Sequence, residues 1–379
     1  MKYTIFLSAV TKFALGLVVT TFLASCSSGP EKPKPAELTA NPGLLGVRLA
    51  WTSTVGPVDF PLEIKVDASS VAIASSAGVV ASFNSSTGAE LWRVDVGTQI
   101  SAGVGSDGRF AAVVTRGNEL IAIDAGREIW RQKMSAQGYT APLVAGGRVF
   151  VLAADRSIAA FDAQSGRKLW NQQRPGESLV LRQSGVLLAV GDTLVAGLAG
   201  RLVGINPLNG TSRWETPIAS PRGTNDIERL VDIVGRVSRE GDVVCVRAFQ
   251  AAVGCVDGNR GTLLWTKPAD GFVGVHGDSQ RIFGIEGDGK IIAWNRLNGD
   301  RDWVTDRLRY RKLTSPLVVG RSVAVGDDAG LVHLLSREDG SVLTRISTDG
   351  SAVAAAPVLA GGTLVVVTRN GGVFGFKPE

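Results

Sequence analysis

The sequence predicts an all-β chain, an eight-bladed β-propeller of four-stranded antiparallel blades whose ring is closed by pairing of the N- and C-terminal strands. Three observations carry this. A motif of apolar strand, Asp or Asn, glycine turn and Trp recurs with Trp at 51, 92, 130, 170, 214, 265 and 303 and Thr344 in the eighth place. Each interval also holds an upstream hairpin, such as Pro142-Leu143-Val144-Ala145-Gly146-Gly147-Arg148-Val149-Phe150-Val151, giving four short strands and no helical period. The two ends are complementary: Trp51 sits in a final-strand motif with no strands before it, and Pro357 to Phe376 has three strands without a final one. Antiparallel units of about 40–45 residues are propeller blades, each too small to bury a core unless stacked on its neighbours. The 47 glycines among 379 residues, well above the ~7% norm, match the number of turns required.

Residues 1–25 read as a signal peptide. Lys2 and Lys12 carry positive charge, and the uncharged stretch Phe13 to Ala24 is too short to span a bilayer. It ends in Leu23-Ala24-Ser25-Cys26, similar to a bacterial lipobox, which places lipid on Cys26; Ser27 rather than Asp after it points to the outer membrane. Residues 26–45, with Pro30, Pro33 and Pro35 among charges, are expected to form a flexible tether. Residues 46–379 then form the propeller.

Within the blades, the Asp or Asn at 84, 124, 162, 206, 257 and 295 is expected to cap the turn before each Trp strand. Gly103 to Gly108 matches GxGxxG but lies inside a hairpin, so it is a turn and not a nucleotide loop. The two histidines, His276 and His333, lack ligand spacing, and the Asp-Gly pairs near 288 and 327 are ordinary turn chemistry. No catalytic, metal or cofactor site is expected. Cys245 and Cys255 bracket Gln250 in a hairpin and should face each other, either as a disulfide or as two buried thiols. A net charge of +5, partly from the signal peptide and spread along the chain, does not argue for nucleic acid, and no nucleic-acid partner is expected.

Function is expected where the repeat is irregular. From the Trp position to the turn of the next hairpin takes 16 or 17 residues after Trp51, Trp92, Trp130, Trp303 and Thr344, but 21 after Trp170 and 27 after Trp214. Both excesses fall in blade-to-blade connections, which emerge on one face, so consecutive insertions should form one patch. The first, Ser178-Leu179-Val180-Leu181-Arg182, sets Leu179 and Leu181 beside Arg182, the anchors of a protein contact or the start of a buried strand. The second carries Asp226, Glu228, Arg229 and Asp232, which form either contacts or a solvated loop.

The repeat A-x-D-x-x-(T/S)-G-x-x-x-W resembles that of pyrroloquinoline-quinone (PQQ) dehydrogenases, and a periplasmic quinone-dependent enzyme is the alternative reading. Those enzymes are longer and carry adjacent cysteines, which this chain lacks. Taken over its whole length, with both insertions, the chain resembles more closely the BamB family of outer-membrane β-barrel assembly lipoproteins. The resemblance implies a non-catalytic scaffold without a cofactor, lipid-anchored and facing the periplasm. Its implied partners are the POTRA domains of BamA, other Bam subunits and unfolded outer-membrane protein clients, whose strands the blade edges could take up. It carries over Leu179, Leu181 and Arg182 in the first loop and Asp232 in the second. An acid that some members have two residues later is Val234 here, and an expected proline is Val237.

Overall fold

A computed structural model describes residues 33–174, 179–221, 224–225 and 229–379. Every regular element among them is a strand, and the strands form eight antiparallel sheets of four. Seven sheets follow chain order, as in the first blade: Lys65–Asp67, Ser70–Ala74, Val79–Asn84 and Glu90–Asp95. The first strands of neighbouring blades approach one another and so surround the axis. In the eighth blade, Val47–Thr54 pairs with Gly372–Pro378 outside Thr363–Val367 and Val358–Ala360. The ring therefore closes by the terminal strands, as predicted, and the closure hides edges that would otherwise template aggregation.

The second and third strands of each blade are apolar on both faces because both face a neighbouring blade. Val71, Ile73, Ile121, Val149, Val195, Val246 and Val365 are all fully buried, and the core is a series of seams between sheets.

The Trp–Gly repeat has a single physical cause. Trp of one blade packs on the glycine turn of the next: Gly88 on Trp51, Gly126 on Trp92, Gly166 on Trp130, Gly210 on Trp170, Gly261 on Trp214, Gly299 on Trp265 and Gly340 on Trp303. A Cβ at any of them would come within 2.5 to 2.8 Å of that Trp side chain. Five indoles also donate across the seam to a turn carbonyl, among them Trp130 to Ala163 at 2.8 Å and Trp265 to Arg296 at 2.8 Å. The preceding Asn84, Asp162, Asn206, Asp257 and Asn295 each accept turn N–H groups. Asp124 departs from the expected capping. Its turn has only Ala125 and Gly126 between strands, leaving no N–H to cap, and its carboxylate instead faces Arg109 at 3.6 Å.

Thr344 replaces Trp at the seam into the eighth blade. There the third and fourth strands belong to opposite chain ends, so no glycine turn exists for a Trp to cover. Residues 36–46 occupy the place. Leu38 and Leu45 pack against the flanking cores. The Leu44 N–H donates to Leu343 O at 2.8 Å, and Asn41 stands in for a peptide group: its Nδ2 donates to Arg345 O and its Oδ1 accepts the Arg345 N–H, both at 2.9 Å. The sequence places residues 36–45 in the tether; in the structure they are held along the outer strand Val342–Ser347 of blade 7.

Candidate partner-binding site

Each blade's last-to-first connection emerges on the same face as the turn between its second and third strands. The described parts of the two insertions, residues 173–174 and 179–186 of the first and 218–221, 224–225 and 229–232 of the second, lie on this face on either side of blade 4. Their ends are stitched together. The Leu181 N–H donates to Asp232 Oδ2 at 3.0 Å, and the Gly235 N–H donates to Ser184 O at 2.9 Å. The Ser184 hydroxyl also hydrogen-bonds the Glu63 carboxyl at the axis, and the Gly185 N–H donates to Thr140 Oγ1 at 2.9 Å. Burial pushes the Glu63 carboxyl above its ordinary range, against the opposing pull of Ser184 and Arg236.

Leu181, Arg182 and Asp232 are thus brought together, with Leu179 alongside. Leu179 is 40% exposed and Leu181 half-buried, and the exposed Arg182 makes no ion pair among the described residues. Its charge reaches Asp59, whose carboxyl is held low chiefly by the Ser76 hydroxyl and Arg116. Arg229 is exposed at the far end of the second insertion. Asp226, Glu228 and Ser178 lie outside the described residues, as does Cys26.

Asp232 is turned inward. Besides Leu181 it faces Arg156, with Nη1 to Oδ1 at 3.7 Å and side-chain exposures of 7% and 17%. Arg156 Nη2 in turn donates to the Leu179 carbonyl at 3.3 Å. One buried guanidinium therefore touches the backbone of the first loop and the acid of the second, so Asp232 orders the patch from beneath.

Sequence reading missed Arg156, although a signal for it exists. The turn between second and third strands has a left-handed residue in every blade: Gly78, Asn118, Gly200, Gly289, Gly330 and Gly371 in six of them. Blades 3 and 5 instead put Arg156 (φ 63°) and Gln250 (φ 50°) there, where an ordinary side chain is strained. Arg156 holds the two loops. Gln250 lines a cleft of about 870 Å³ with Ile218, Leu230, Val231 and Phe249. Phe249 packs at a tilt on the exposed Phe272, with ring centroids 5.6 Å apart, which adds an aromatic border to the patch.

Elsewhere the chemistry is structural. Cys245 and Cys255 pair in register and are joined as a disulfide, fully buried beside Trp265 and Trp294. Gly105 to Gly108 form the first hairpin of blade 2. Among the described residues no group of three His, Cys, Asp or Glu side chains is arranged to hold a metal. A channel of about 600 Å³ follows the axis, lined by Glu63, Lys65, Arg236 and His276.

Fold and site together define an eight-bladed propeller whose irregular connections gather on one face. A family model described as outer membrane protein assembly factor BamB matches residues 76–305 and 310–379. The chain is 36% identical over 370 residues to the outer membrane protein assembly factor BamB of Burkholderia pseudomallei, covering 97% of each. It is 34% identical over 360 residues to that of Bordetella pertussis, covering 94% of this chain and 93% of the relative. The chain belongs to the BamB family of outer membrane protein assembly factors. The crystal structure of BamB from Moraxella catarrhalis has the same fold, with a TM-score of 0.79 at 24% identity, over 87% of this chain and 99% of that one.

Proposed function

We propose that the protein is a non-catalytic scaffold, anchored in the outer membrane through acylated Cys26, that binds the POTRA domains of BamA and aids folding and insertion of β-barrel clients. The observation that carries the contact is the stitched pair of loops, with Leu179, Leu181 and Arg182 presented over a buried Arg156–Asp232 brace. The exposed Leu179 and half-buried Leu181 beside an Arg without an ion pair among the described residues, on a backbone bonded to the second loop, give a partner apolar area and a directional donor at little entropic cost. Arg229, and Asp226 and Glu228 in the same sequence run, extend the contact along the second loop. Asp232 acts as a positioning residue beneath them. Family membership supports the assignment to outer membrane protein assembly.

The test is a pull-down of the BamA periplasmic domains by the soluble form from Ser27 onward, beside Leu181→Ala/Arg182→Glu with folding verified by circular dichroism. Reversing a central Arg should cost on the order of 2 kcal/mol, about 30-fold in affinity. Equal capture by both proteins would move the contact elsewhere. No capture by either would remove this partner.

A further inference from the structure

The axial channel of about 600 Å³ lies within the ~300–1,000 Å³ of small-molecule sites, and its polar groups do not repeat with the blades. In register with the Trp strand, the axial position is Lys65 in blade 1 and His276 in blade 6. The other six blades carry a glycine, three leucines, a serine and a valine at that position. The serine is Ser238 of blade 5, and Arg236 stands two residues before it, nearer the loop face. At the rise of a strand this sets Arg236 about 5–7 Å along the axis from the level of Lys65 and His276.

These side chains are donors without acceptors. Arg236 Nη1 donates to the Pro357 carbonyl at 2.8 Å, and among the described residues neither Arg236 nor Lys65 makes an ion pair. His276 Nδ1 accepts the Val318 N–H at 3.1 Å. Its ring proton is therefore on Nε2, which has no partner among the described residues. Glu63 is the one carboxyl among the described residues of the lining, and it is bonded to Ser184 at the loop-face end. Burial pushes Glu63 up toward its neutral form and Arg236 down to about 10. Burial, then the field of Arg236 and Arg296, lowers His276 to about 3. A guanidinium taken from water with no carboxylate beside it is costly until an anion balances it.

We propose that the axis binds a small dicarboxylate, with one carboxylate at the Arg236 guanidinium and the other at the level of Lys65 and His276. A single ion at either level would leave the other unanswered, whereas two acid groups on a short carbon chain meet both. Their two negative charges match Lys65 and Arg236 while Glu63 keeps its bond to Ser184. Val66, Leu188 and Val318 also line the channel and give the carbon chain apolar walls.

Glutarate titrated into the full-length protein in detergent, with the histidine rings isotope-labelled for NMR, tests this. The chain has two histidines. His276 lines the channel, and His333, fully buried against Asp327 in blade 7, is the internal control. The His276 ring signal should shift saturably, with a Kd of about 1 mM or tighter, while that of His333 stays. Lys65→Met removes a charge that makes no ion pair among the described residues, and should weaken glutarate at least ~10-fold. Acetate, with a single carboxylate, should bind the native protein at least ~10-fold more weakly than glutarate. A His276 signal that does not move, or that moves in step with His333, overturns the inference. So does a glutarate affinity unchanged in Lys65→Met, or acetate that binds as tightly as glutarate. Should Lys65→Met not fold, Lys65→Gln carries the same comparison.

Discussion

Asp232→Ala should weaken partner binding by disordering the first loop, without removing a contact to the partner. In the native chain the carboxylate accepts the Leu181 N–H at 3.0 Å and faces the Arg156 guanidinium at 3.7 Å. A hydrogen bond to a charged group contributes about 1.5–3 kcal/mol net. Asp232 is only 17% exposed, so solvent screening takes little from this, while Arg156 keeps its bond to the Leu179 carbonyl. A loss of about 2 kcal/mol in loop order lowers affinity for the BamA periplasmic domains by up to about 30-fold, because the binding-competent population falls by that factor. The assay is paired: isothermal titration for affinity, and hydrogen exchange of the Leu181 amide in the free protein. Exchange at Leu181 should accelerate before any partner is present, and Asp232→Asn, which retains an acceptor oxygen, should recover part of both effects. If affinity falls while Leu181 exchange in the free protein is unchanged, Asp232 touches the partner directly and the bracing argument is wrong.

Gly166→Ala should destabilise by about 2–3 kcal/mol in urea unfolding, because it adds left-handed strain (φ 70°) to a Cβ placed 2.7 Å from the Trp130 ring. Gly146→Ala, at φ 57° with nothing within 4 Å, should cost only about 1 kcal/mol; equal losses would deny the latch. His276 is held neutral, its pKa lowered to about 3 first by burial and then by Arg236 and Arg296, and its Nδ1 accepts the Val318 N–H at 3.1 Å. An imidazole that protonates more readily when unfolded contributes stability that is present above pH 6.5 and is lost as pH falls toward 3. Thermal melts of His276→Gln should therefore show a shallower decline over that window, and a parallel decline would discount the histidine. Cys245→Ala/Cys255→Ala should lose about 3 kcal/mol, from the loop-entropy relation applied to a separation of 10 residues. Because both sulfurs are fully buried, reductant followed by a thiol-reactive mass tag should label them only after unfolding; ready labelling of the native protein would contradict that burial.

The ring was legible because its cause is local and repeated. A Trp and a Gly in every unit are two halves of one contact between neighbours, so spacing alone reveals the stacking. The site was legible in part, since an insertion into a regular connection shows in the same spacing. What remained hidden is held by single, unrepeated pairings across large sequence separations. Arg156 meets Asp232 only because blade 3 and the second insertion converge, and the clue is a non-glycine at a turn position that is glycine in five of the eight blades. Arg247, fully buried against Glu286 at 3.1 Å, and Arg311, bound to the buried Asp327 at 2.9 Å, are pairings of the same long-range kind. The tether boundary was misplaced for a related reason. Glu37 to Gly46 carries no strand alternation, and it is held along blade 7 by scattered contacts: Leu38 and Leu45 in the flanking cores, Leu44 bonded to Leu343, and the Asn41 side chain imitating a peptide group.

Under the proposed acylation of Cys26, the strap of residues 36–46 also bears on how the ring stays closed. Val47–Thr54 is the strand whose removal would open the propeller, and it directly follows the segment leading to Cys26. A pull on the N-terminus would, without the strap, act on the closing strand at Val47. With the strap in place the pull is resisted at Ala36, ahead of Val47, by three hydrogen bonds to Arg309 and Arg311, and Arg311 is tied to a fully buried carboxylate. The load passes into blade 7 before it reaches the closure. The eighth seam cannot have a Trp latch, since no glycine turn faces Thr344, and it is also the seam most exposed to force from an anchor. Residues 36–46 meet both needs with one extended segment.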